Sequence, residues 1–476
     1  MFNRAPLISS IRIGVCPAML VLAGCLHYTP QPITAPAALA AVESRALDNA
    51  ELARFLRANR QVTEWPPRSW DLHSLTLVAF YYHPDLDVAR SGWAAAKAGI
   101  VTAGERPNPG AGGGPGYNST TPTSVITPWI WTLGFDFTVE TAGKRGHRIA
   151  VARQLSEAAR LHIATVAWQV RSRVRQSLLD LYAAGETAKF LERQQAIQQG
   201  NIALLERQLG AGAISPFEVT QARLVLDTIR LAMHDAARQQ AEGRVQLAAS
   251  LGVTVRALDA IALAVDPFGR APSEIAAPDA RRQALVNRPD ILGALSEYGA
   301  SEAALQLEIA RQYPDIHLGP GYQLDQANNK WTLNLGGVLP LFNRNCGPIA
   351  EAEARRGEAA ARFTSVQSRA IEEIDRAAAA YRAAIAKTAT ADALLADLQR
   401  QERSARAQFE AGEISRLELG SIQLELAASE LSRLDALVKA HQSLGQLEDA
   451  MQSPADLGEW LSTTPPRQPP ARKEPR

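Results

Sequence analysis

The chain carries an internal duplication, and this feature most limits what it can fold into. Two stretches recur at an offset of 200 residues: Trp-Thr-Leu at 131–133 and 331–333, and Ala-Gly-x-Ile-Ser at 211–215 and 411–415. Upstream, Pro-Asp at 84–85 and Gly-Pro-Gly-Tyr at 114–117 recur at an offset of 205, as 289–290 and 319–322. The two offsets differ by five residues, as an insertion in an exposed loop would produce. Repeats of this kind indicate two copies of one structural unit within a single chain.

Alternating apolar residues in each copy predict β-strands. In 129–139 the odd positions are Trp, Trp, Leu, Phe, Phe and Val, and small or polar residues occupy most even positions. A strand of this length can cross a bilayer at a tilt, with one face in lipid. The pattern recurs at 331–341, and weaker partner strands are predicted at 109–118 and 313–324. The same alternation is also typical of a soluble sandwich strand that has one wet face.

In each copy one helix is predicted before the strands, and long helices follow them. No proline occurs between residues 145 and 210, and apolar residues recur there at the spacing of a narrow coiled-coil stripe. A helix of roughly 65 residues is about 100 Å long at 1.5 Å per residue. That length exceeds the needs of a globular domain and suits a structure that crosses a compartment. Similar helices are predicted at 216–251, 349–410 and 417–451.

The two Ala-Gly-x-Ile-Ser stretches predict tight turns between these helices. Gly212 and Gly412 can adopt the left-handed conformation that ends a helix. Pro216 then suits the first position of the returning helix. Each copy also has the residues of a capping box, which are Ser215 with Glu218 and Ser415 with Glu418.

The N-terminal segment predicts targeting, and the proline-rich segment from residue 453 predicts a disordered tail. A positive flank and a short apolar run precede Leu-Ala-Gly-Cys at 22–25, which resembles the lipobox of bacterial lipoproteins. The resemblance implies that Cys25 becomes the acylated first residue of the mature chain, whereas an ordinary signal peptide is the alternative. Only Cys346 would then remain, so no intramolecular disulfide is expected. A net charge of +1 argues against a nucleic-acid partner.

Together these features resemble the outer-membrane efflux protein family, the TolC-like outer-membrane factors. The resemblance covers about residues 70 to 452 and rests on the order of the turns at 211–215 and 411–415 and the stretches at 140–145 and 340–343. The stretch 140–148 is most similar to the heavy-metal, cobalt–zinc–cadmium branch, although 340–346 departs from that pattern. The resemblance implies that the turns dock a periplasmic adaptor through Gly212, Ile214, Ser215, Glu218, Gly412, Ile414, Ser415 and Glu418.

The resemblance also implies an assembly. It is a homotrimer in which each protomer gives four strands to a twelve-stranded β-barrel, continued by a periplasmic α-helical barrel. An oligomer is expected on physical grounds as well, because four strands cannot close a barrel. In such a trimer Glu410 and Glu413 would form rings of carboxylates at a cation-attracting entrance, or would be solvated helix-end charges. The implied partners are outer-membrane lipid, a periplasmic adaptor and an inner-membrane pump of the RND type.

The sequence therefore predicts a mainly α chain with a transmembrane β-barrel portion, acting as the passive exit duct of a tripartite efflux system. A protein-secretion duct and a periplasmic coiled-coil lipoprotein without a pore, either an adaptor or a spacer, are the alternatives. No nucleophile, base and orienting group occur together, so no enzyme and no cofactor are expected apart from the lipid on Cys25. The eight histidines are scattered, which predicts that a metal cargo is conducted rather than bound. The predicted parts are a signal peptide at 1–24, an extended segment at 25–70, repeat 1 at 71–252, a linker at 253–280, repeat 2 at 281–452 and a disordered tail at 453–476.

Overall fold

The computed structural model describes residues 28–59, 64–120, 127–259, 261–272, 277–326 and 328–452. The predicted signal peptide, Cys25 and the predicted tail at 453–476 lie outside the described residues. The chain divides into two units, Met1–Ser44 and Arg45–Arg476. In chain order the elements are α1 (Ala35–Glu43), α2 (Ala50–Asn59), α3 (Leu72–Tyr82), α4 (Pro84–Gly104), β1 (Gly110–Tyr117), β2 (Trp129–Val139), α5 (Lys144–Gly210), α6 (Pro216–Leu251), α7 (Ala277–Asn287), α8 (Pro289–Ala310), β3 (Ile316–Asp325), β4 (Asn328–Gly336), α9 (Cys346–Glu410) and α10 (Arg416–Met451).

The prediction of an extended segment at 25–70 is wrong for two stretches, because α1 and α2 form there. In the first unit, α1 is rich in alanine and has a proline in its first turn, where the missing N–H costs nothing. In the second unit, α2 places Leu52, Ala53 and Leu56 on one buried face. In the sequence, the apolar residues at this helical spacing are the feature that indicates α2.

Each repeat begins with two helices rather than the single helix predicted. Pro84 and Pro289 start α4 and α8, and the residues before them, His83 and Arg288, are extended. A proline disfavours helical conformation in the residue that precedes it, so the chain turns there. The first helix of the pair in repeat 1, α3, is buried from Ser74 to Tyr82. It forms the main hydrophobic core with α5, α6 and the inter-repeat linker, in which residues such as Leu258 and Phe268 are buried.

The four strands form one antiparallel sheet in the order β1-β2-β3-β4. The two copies therefore meet through β2 and β3, and β1 and β4 are the edges. The loop between β1 and β2 spans 118–128, whereas only residues 326 and 327 separate β3 from β4. The five-residue shift in offset lies in these hairpins, as the sequence predicts, and the rest of the difference arises because β3 and β4 extend further towards their turn than β1 and β2 do. The prediction that the fourth strand continues to residue 341 is wrong, because β4 ends at Gly336.

The long helices repeat closely. The second long helix of each copy contains 36 residues: α6 runs from 216 to 251 and α10 from 416 to 451. The first helices, α5 and α9, contain 67 and 65 residues and end at 210 and 410. At 1.5 Å per residue each of these two is about 100 Å long. Besides their hairpin contacts, α5 also packs against α10, which joins the two copies along the helices. Among the described helices, none combines the length and hydrophobicity required to cross a membrane.

Candidate duct wall and docking tips

The sheet has one apolar face and one polar face. Residues paired across antiparallel strands point to the same side, so the registers of the three strand pairs define both faces. The apolar face holds exposed large side chains throughout, namely Tyr117, Trp129, Trp131, Leu133, Phe135, Phe137, Val139, Ile316, Trp331, Leu333 and Leu335. A monomeric soluble protein rarely exposes an apolar surface of this extent. The odd positions of β2 lie on this face, as the sequence predicts for a lipid-facing surface.

The polar face is lined by small and hydrophilic residues. Glycines occupy every position of β1 on this side, at 110, 112, 114 and 116, and recur at 134, 319, 321 and 336. The remaining members include Thr132, Asp136, Lys330 and Asn334. A wall made of glycine and short polar side chains leaves space above the sheet, as a water-filled passage requires.

The stretch 140–148 fastens the sheet to the helices. Lys144 is buried, and its Nζ donates to the Tyr313 carbonyl and to Asp315 Oδ1, both at 2.7 Å. Burial raises the pKa of Asp315, but the hydrogen bonds from Lys144 and from the Thr141 backbone outweigh it and hold that pKa below its usual value. These contacts connect the end of β2 with the start of β3.

The same stretch holds two more contacts, one within itself and one to the end of α4. Arg148 forms a bidentate ion pair with Glu140. Arg145 Nε donates to the Gly104 carbonyl at 2.5 Å. The stretch that resembles the heavy-metal branch therefore has a structural role in this protomer. In the second copy a different residue, Asn345, caps the helix at φ 59° and donates to the Glu308 carbonyl at 2.7 Å.

Both helical hairpins end in the same backbone motif, which confirms the predicted left-handed glycines. Gly212 has φ +71° and Gly412 has φ +79°. In each tip the glycine N–H and the next N–H bond back to carbonyls of the preceding helix, at 2.8 to 3.0 Å. This is the Schellman arrangement, which satisfies the last carbonyls of a helix.

The first returning helix carries the predicted capping box, and the second shows the serine half of it. Ser215 and Glu218 form a capping box, in which the Ser215 N–H donates to Glu218 Oε1 at 3.5 Å. At the second tip the Glu418 N–H donates to Ser415 Oγ at 3.1 Å. All four side chains are exposed, and only Ile214 and Ile414 are half-buried in the turns. The capping groups and both glycines therefore lie open to a partner.

The two tips differ in chemistry. The first carries neutral residues from 208 to 217 and exposes Phe217, whose side chain is 68% accessible. The second carries Glu410 and Glu413, both exposed, and the Arg416 guanidinium lies 5.4 Å from the Phe409 ring centroid. The structure thus brings Glu410 and Glu413 to one tip. Whether they form an entrance ring in an assembly stays a prediction.

A buried charge network between α5 and α10 was not predicted from the sequence. Arg171 and Arg175 both donate to Glu448 Oε2 at 2.9 Å, and all three residues are at most 9% exposed. Arg175 also donates to Asp449 Oδ2 at 2.7 Å, and Ser172 Oγ donates to the same oxygen at 2.5 Å. The indication in the sequence was two arginines four residues apart within the apolar stripe of a helix. This network links the first helix of one copy to the last helix of the other.

Equivalent positions at the start of each repeat hold different ionic groups. In the first copy the buried His83 precedes Asp85, and Asp85 pairs with Arg173 at 2.6 Å. In the second copy the buried Arg288 takes the place of the histidine and donates to Asp290 at 2.6 Å and to Glu373 at 3.0 Å. Residue 373 is the counterpart of residue 173, so the charge at that position is reversed between the copies.

Among the described residues no group of three or more His, Cys, Asp or Glu side chains is placed to hold a metal ion. One pair of facing side chains was not predicted from the sequence. Asp136 and His317 lie on the polar face, on β2 and β3, with His317 Nδ1 at 3.2 Å from both carboxylate oxygens. The two residues are 181 positions apart, so only the pairing of β2 with β3 could have revealed the contact.

The chain is similar to known proteins both in sequence and in architecture. The chain is 28% identical over 223 residues to the cobalt-zinc-cadmium resistance protein CzcC of Cupriavidus metallidurans, covering 46% of this chain and 52% of that protein. It is 24% identical over 286 residues to the cation efflux system protein CusC of Escherichia coli K12, covering 56% and 60%. The chain thus spans a little over half the length of these curated relatives.

Solved structures agree on the fold. A crystal structure of CusC matches with a TM-score of 0.67 at 21% identity, covering 82% of this chain and 95% of that one. The outer membrane protein VceC of Vibrio cholerae matches with a TM-score of 0.65 at 19% identity, covering 80% and 96%. Residues 79–253 and 280–452 match the family described as outer membrane efflux protein, and the chain belongs to that family.

Proposed function

We propose that the protein is the outer-membrane duct of a tripartite efflux system and assembles as a homotrimer. The observation that carries the proposal is the amphipathic four-stranded sheet, which leaves β1 and β4 as open edges. Unpaired backbone groups are costly in lipid, and four strands cannot close on themselves. Three copies supply twelve strands, which close a barrel with the apolar face towards lipid and the polar face towards the lumen.

The duct is passive, and no residue of the chain acts as a catalyst in this proposal. An inner-membrane pump, of the RND type, supplies the energy, and a periplasmic adaptor bridges it to the helical tips. The capped hairpins at 211–215 and 411–415 are closed by backbone hydrogen bonds and exposed, which suits them to meet helices of an adaptor. A lipid on Cys25 anchors the N-terminus to the outer membrane as a second attachment.

The proposed cargo is divalent metal cations. Its support is the function of the relatives, which are resistance or efflux proteins for cobalt, zinc, cadmium and other cations. The alternative of a periplasmic lipoprotein without a pore is disfavoured, because it leaves the apolar face of the sheet uncovered. A protein-secretion duct would share the same wall and is separated by the cargo assay below.

Two measurements test the proposal. The full-length protein, purified in detergent, should migrate as a trimer on unheated gels and as a monomer after boiling. Added to a planar lipid bilayer, it should produce stable, uniform conductance steps in potassium chloride. A monomer that gives no conductance would overturn the duct assignment.

The cargo is tested in cells that lack their own duct of this type. Co-expression with the cognate adaptor and pump should restore growth on zinc, cobalt or cadmium salts. Restored secretion of a protein, with no change in metal tolerance, would contradict the metal assignment and favour the secretion alternative.

A further inference from the structure

The pair Asp136–His317 lies at the end of the sheet that meets the helices. His317 is the second residue of β3 and pairs in register with Thr138, and β2 ends one residue later at Val139. Both side chains belong to the polar face. In the proposed barrel, each protomer therefore presents this pair to the lumen where the strands pass into the helical part.

The geometry fixes one nitrogen of the ring. His317 Nδ1 lies 3.2 Å from both oxygens of Asp136 and 3.4 Å from Thr138 Oγ1. When Nδ1–H donates to the carboxylate, the neutral imidazole leaves Nε2 with a free lone pair. Among the residues that the structure describes, Nε2 has no hydrogen-bond partner. His317 and Asp136 are 39% and 56% exposed, so the ring is open to solvent.

The surroundings keep Nε2 accessible. Besides Thr138 on β2, which lies on the Nδ1 side of the ring, the neighbours of His317 on the polar face are Gly319 on the same strand and Gly336, its partner on β4. A side chain at residue 336 would begin 3.7 Å from the His317 Cβ. Glycine at these positions leaves the space beside the ring free, in the part of the wall where the lumen begins.

A histidine whose Nδ1–H is held by a carboxylate is the usual form of a transition-metal ligand in proteins. The carboxylate orients the ring and presents Nε2 to the metal, and imidazole suits zinc, cobalt, nickel and copper. A single imidazole per protomer holds such an ion weakly, with water as the other ligands. Weak binding is what a conducting pathway needs, because the ion must also leave.

We propose that His317, oriented by Asp136, is a transient binding site for divalent transition-metal ions on the wall of the duct. The inference rests on the proposed function, since the polar face must line the lumen. It assigns to this chain a point of contact with its cargo, in place of a lumen wall that conducts metal without binding it.

Single-channel recording of the full-length protein tests the site. With potassium carrying the current, Zn²⁺ added to the side of the helical tips should cause brief interruptions whose frequency rises with Zn²⁺ concentration. Ca²⁺, which prefers oxygen ligands, should cause none at the same concentration. His317→Gln removes the ligand itself and should require at least as large an increase in Zn²⁺ concentration as Asp136→Asn for the same frequency. Asp136→Asn should raise the requirement by about 10- to 100-fold, the usual cost of losing such a carboxylate.

A matched control is His234→Gln, which removes an exposed histidine on α6, away from the sheet. It should leave the Zn²⁺ response of the wild-type channel unchanged. A wild-type channel that conducts potassium without Zn²⁺-dependent interruptions would overturn the site while leaving the duct intact. Equal Zn²⁺ sensitivity of the wild-type channel and His317→Gln would overturn it too. Absence of any conductance would instead contradict the proposed function on which the site depends.

Discussion

A single arginine placed on either face of β2 gives the most direct test of the membrane assignment. Leu133 lies on the apolar face, paired with Gly113 and Tyr322. Its chain neighbour Thr132 lies on the polar face, and the Oγ1 of Thr132 donates to the Gly114 carbonyl at 3.1 Å. The variants Leu133→Arg and Thr132→Arg therefore place the same charge one residue apart, on opposite sides of the sheet.

The expected magnitude depends on depth. Because β2 has 11 residues, it crosses about 26 Å at ~3.3 Å per residue and a tilt of about 45°. Leu133 is one residue from the middle of the strand, so its side chain lies within a few ångströms of the bilayer centre. An arginine there costs about 2–4 kcal/mol on the lipid face of a barrel. In a trimer this free-energy cost applies at three sites, one in each copy. Thr132→Arg loses one exposed hydrogen bond, worth about 0.5–1.5 kcal/mol.

The assay is insertion into lipid vesicles, measured as the fraction of protein that resists protease and migrates as a heat-sensitive oligomer. A cost of 2–4 kcal/mol per site corresponds to a loss of about 30- to 1,000-fold in an insertion equilibrium. Val139→Arg is a depth control, because it changes the same face at the strand end, where the cost falls to about 0–1 kcal/mol. Equal insertion of Leu133→Arg and Thr132→Arg would refute the assignment of the two faces.

Three further predictions concern the helical part. Replacing Gly212 and Gly412 together by valine forces β-branched residues to positive φ, with a strain of about 1–3 kcal/mol at each site. Trimers should persist, whereas adaptor binding, measured by co-purification, should be lost. Glu448→Gln removes the buried carboxylate shared by two arginines and should lower the free energy of unfolding by about 3–5 kcal/mol. Circular dichroism at a fixed scan rate should show a lower unfolding temperature, and an unchanged temperature would contradict a structural role for Glu448. Burial holds the pKa of His83 below its usual value, so the contribution of this residue to stability is complete above about pH 6.5 and is lost as the pH falls. His83→Asn should therefore reduce the fall in unfolding temperature on acidification. Protonation of His441, whose pKa is also lowered by burial, should account for part of the fall that is left in this variant.

The sequence predicts the fold well where local chemistry decides the structure. Strand β2 has the predicted bounds, and the tips have the predicted glycine conformation and caps. These features depend on alternation, on positive φ and on N-caps, all of which involve residues a few positions apart. The duplication adds to this, because a weak pattern in one copy is supported by a stronger one in the other. The glycine-rich β1 is predicted only through its counterpart β3.

The end of β4 shows where a local pattern fails. Residues 337–341 continue the apolar alternation, yet the ladder stops at Gly336, which pairs with His317. Residue 338 would need a partner at Asp315, which precedes β3 and is held by Lys144 and the Thr141 N–H instead. A strand lasts only as long as its neighbour, and the length of the neighbour is set by contacts 170 residues away. The Asp136–His317 pair is hidden from the sequence for the same reason.

The buried ionic groups show how two copies of one unit become parts of one protomer. A buried arginine requires carboxylates around it, because an unpaired charge in the interior is costly. Arg288 has two, Asp290 and Glu373. In the first copy burial lowers the pKa of His83 and so favours its uncharged form, which tolerates Arg173 at the equivalent position. Each exchange is possible only together with the other, since an arginine at residue 83 would face Arg173. The network at Glu448 has no equivalent in the first copy, because the counterpart of Glu448 there, residue 248, is a buried alanine. The copies therefore keep the same helices, turns and strands, which local sequence encodes, and differ where each must pack against a different neighbour.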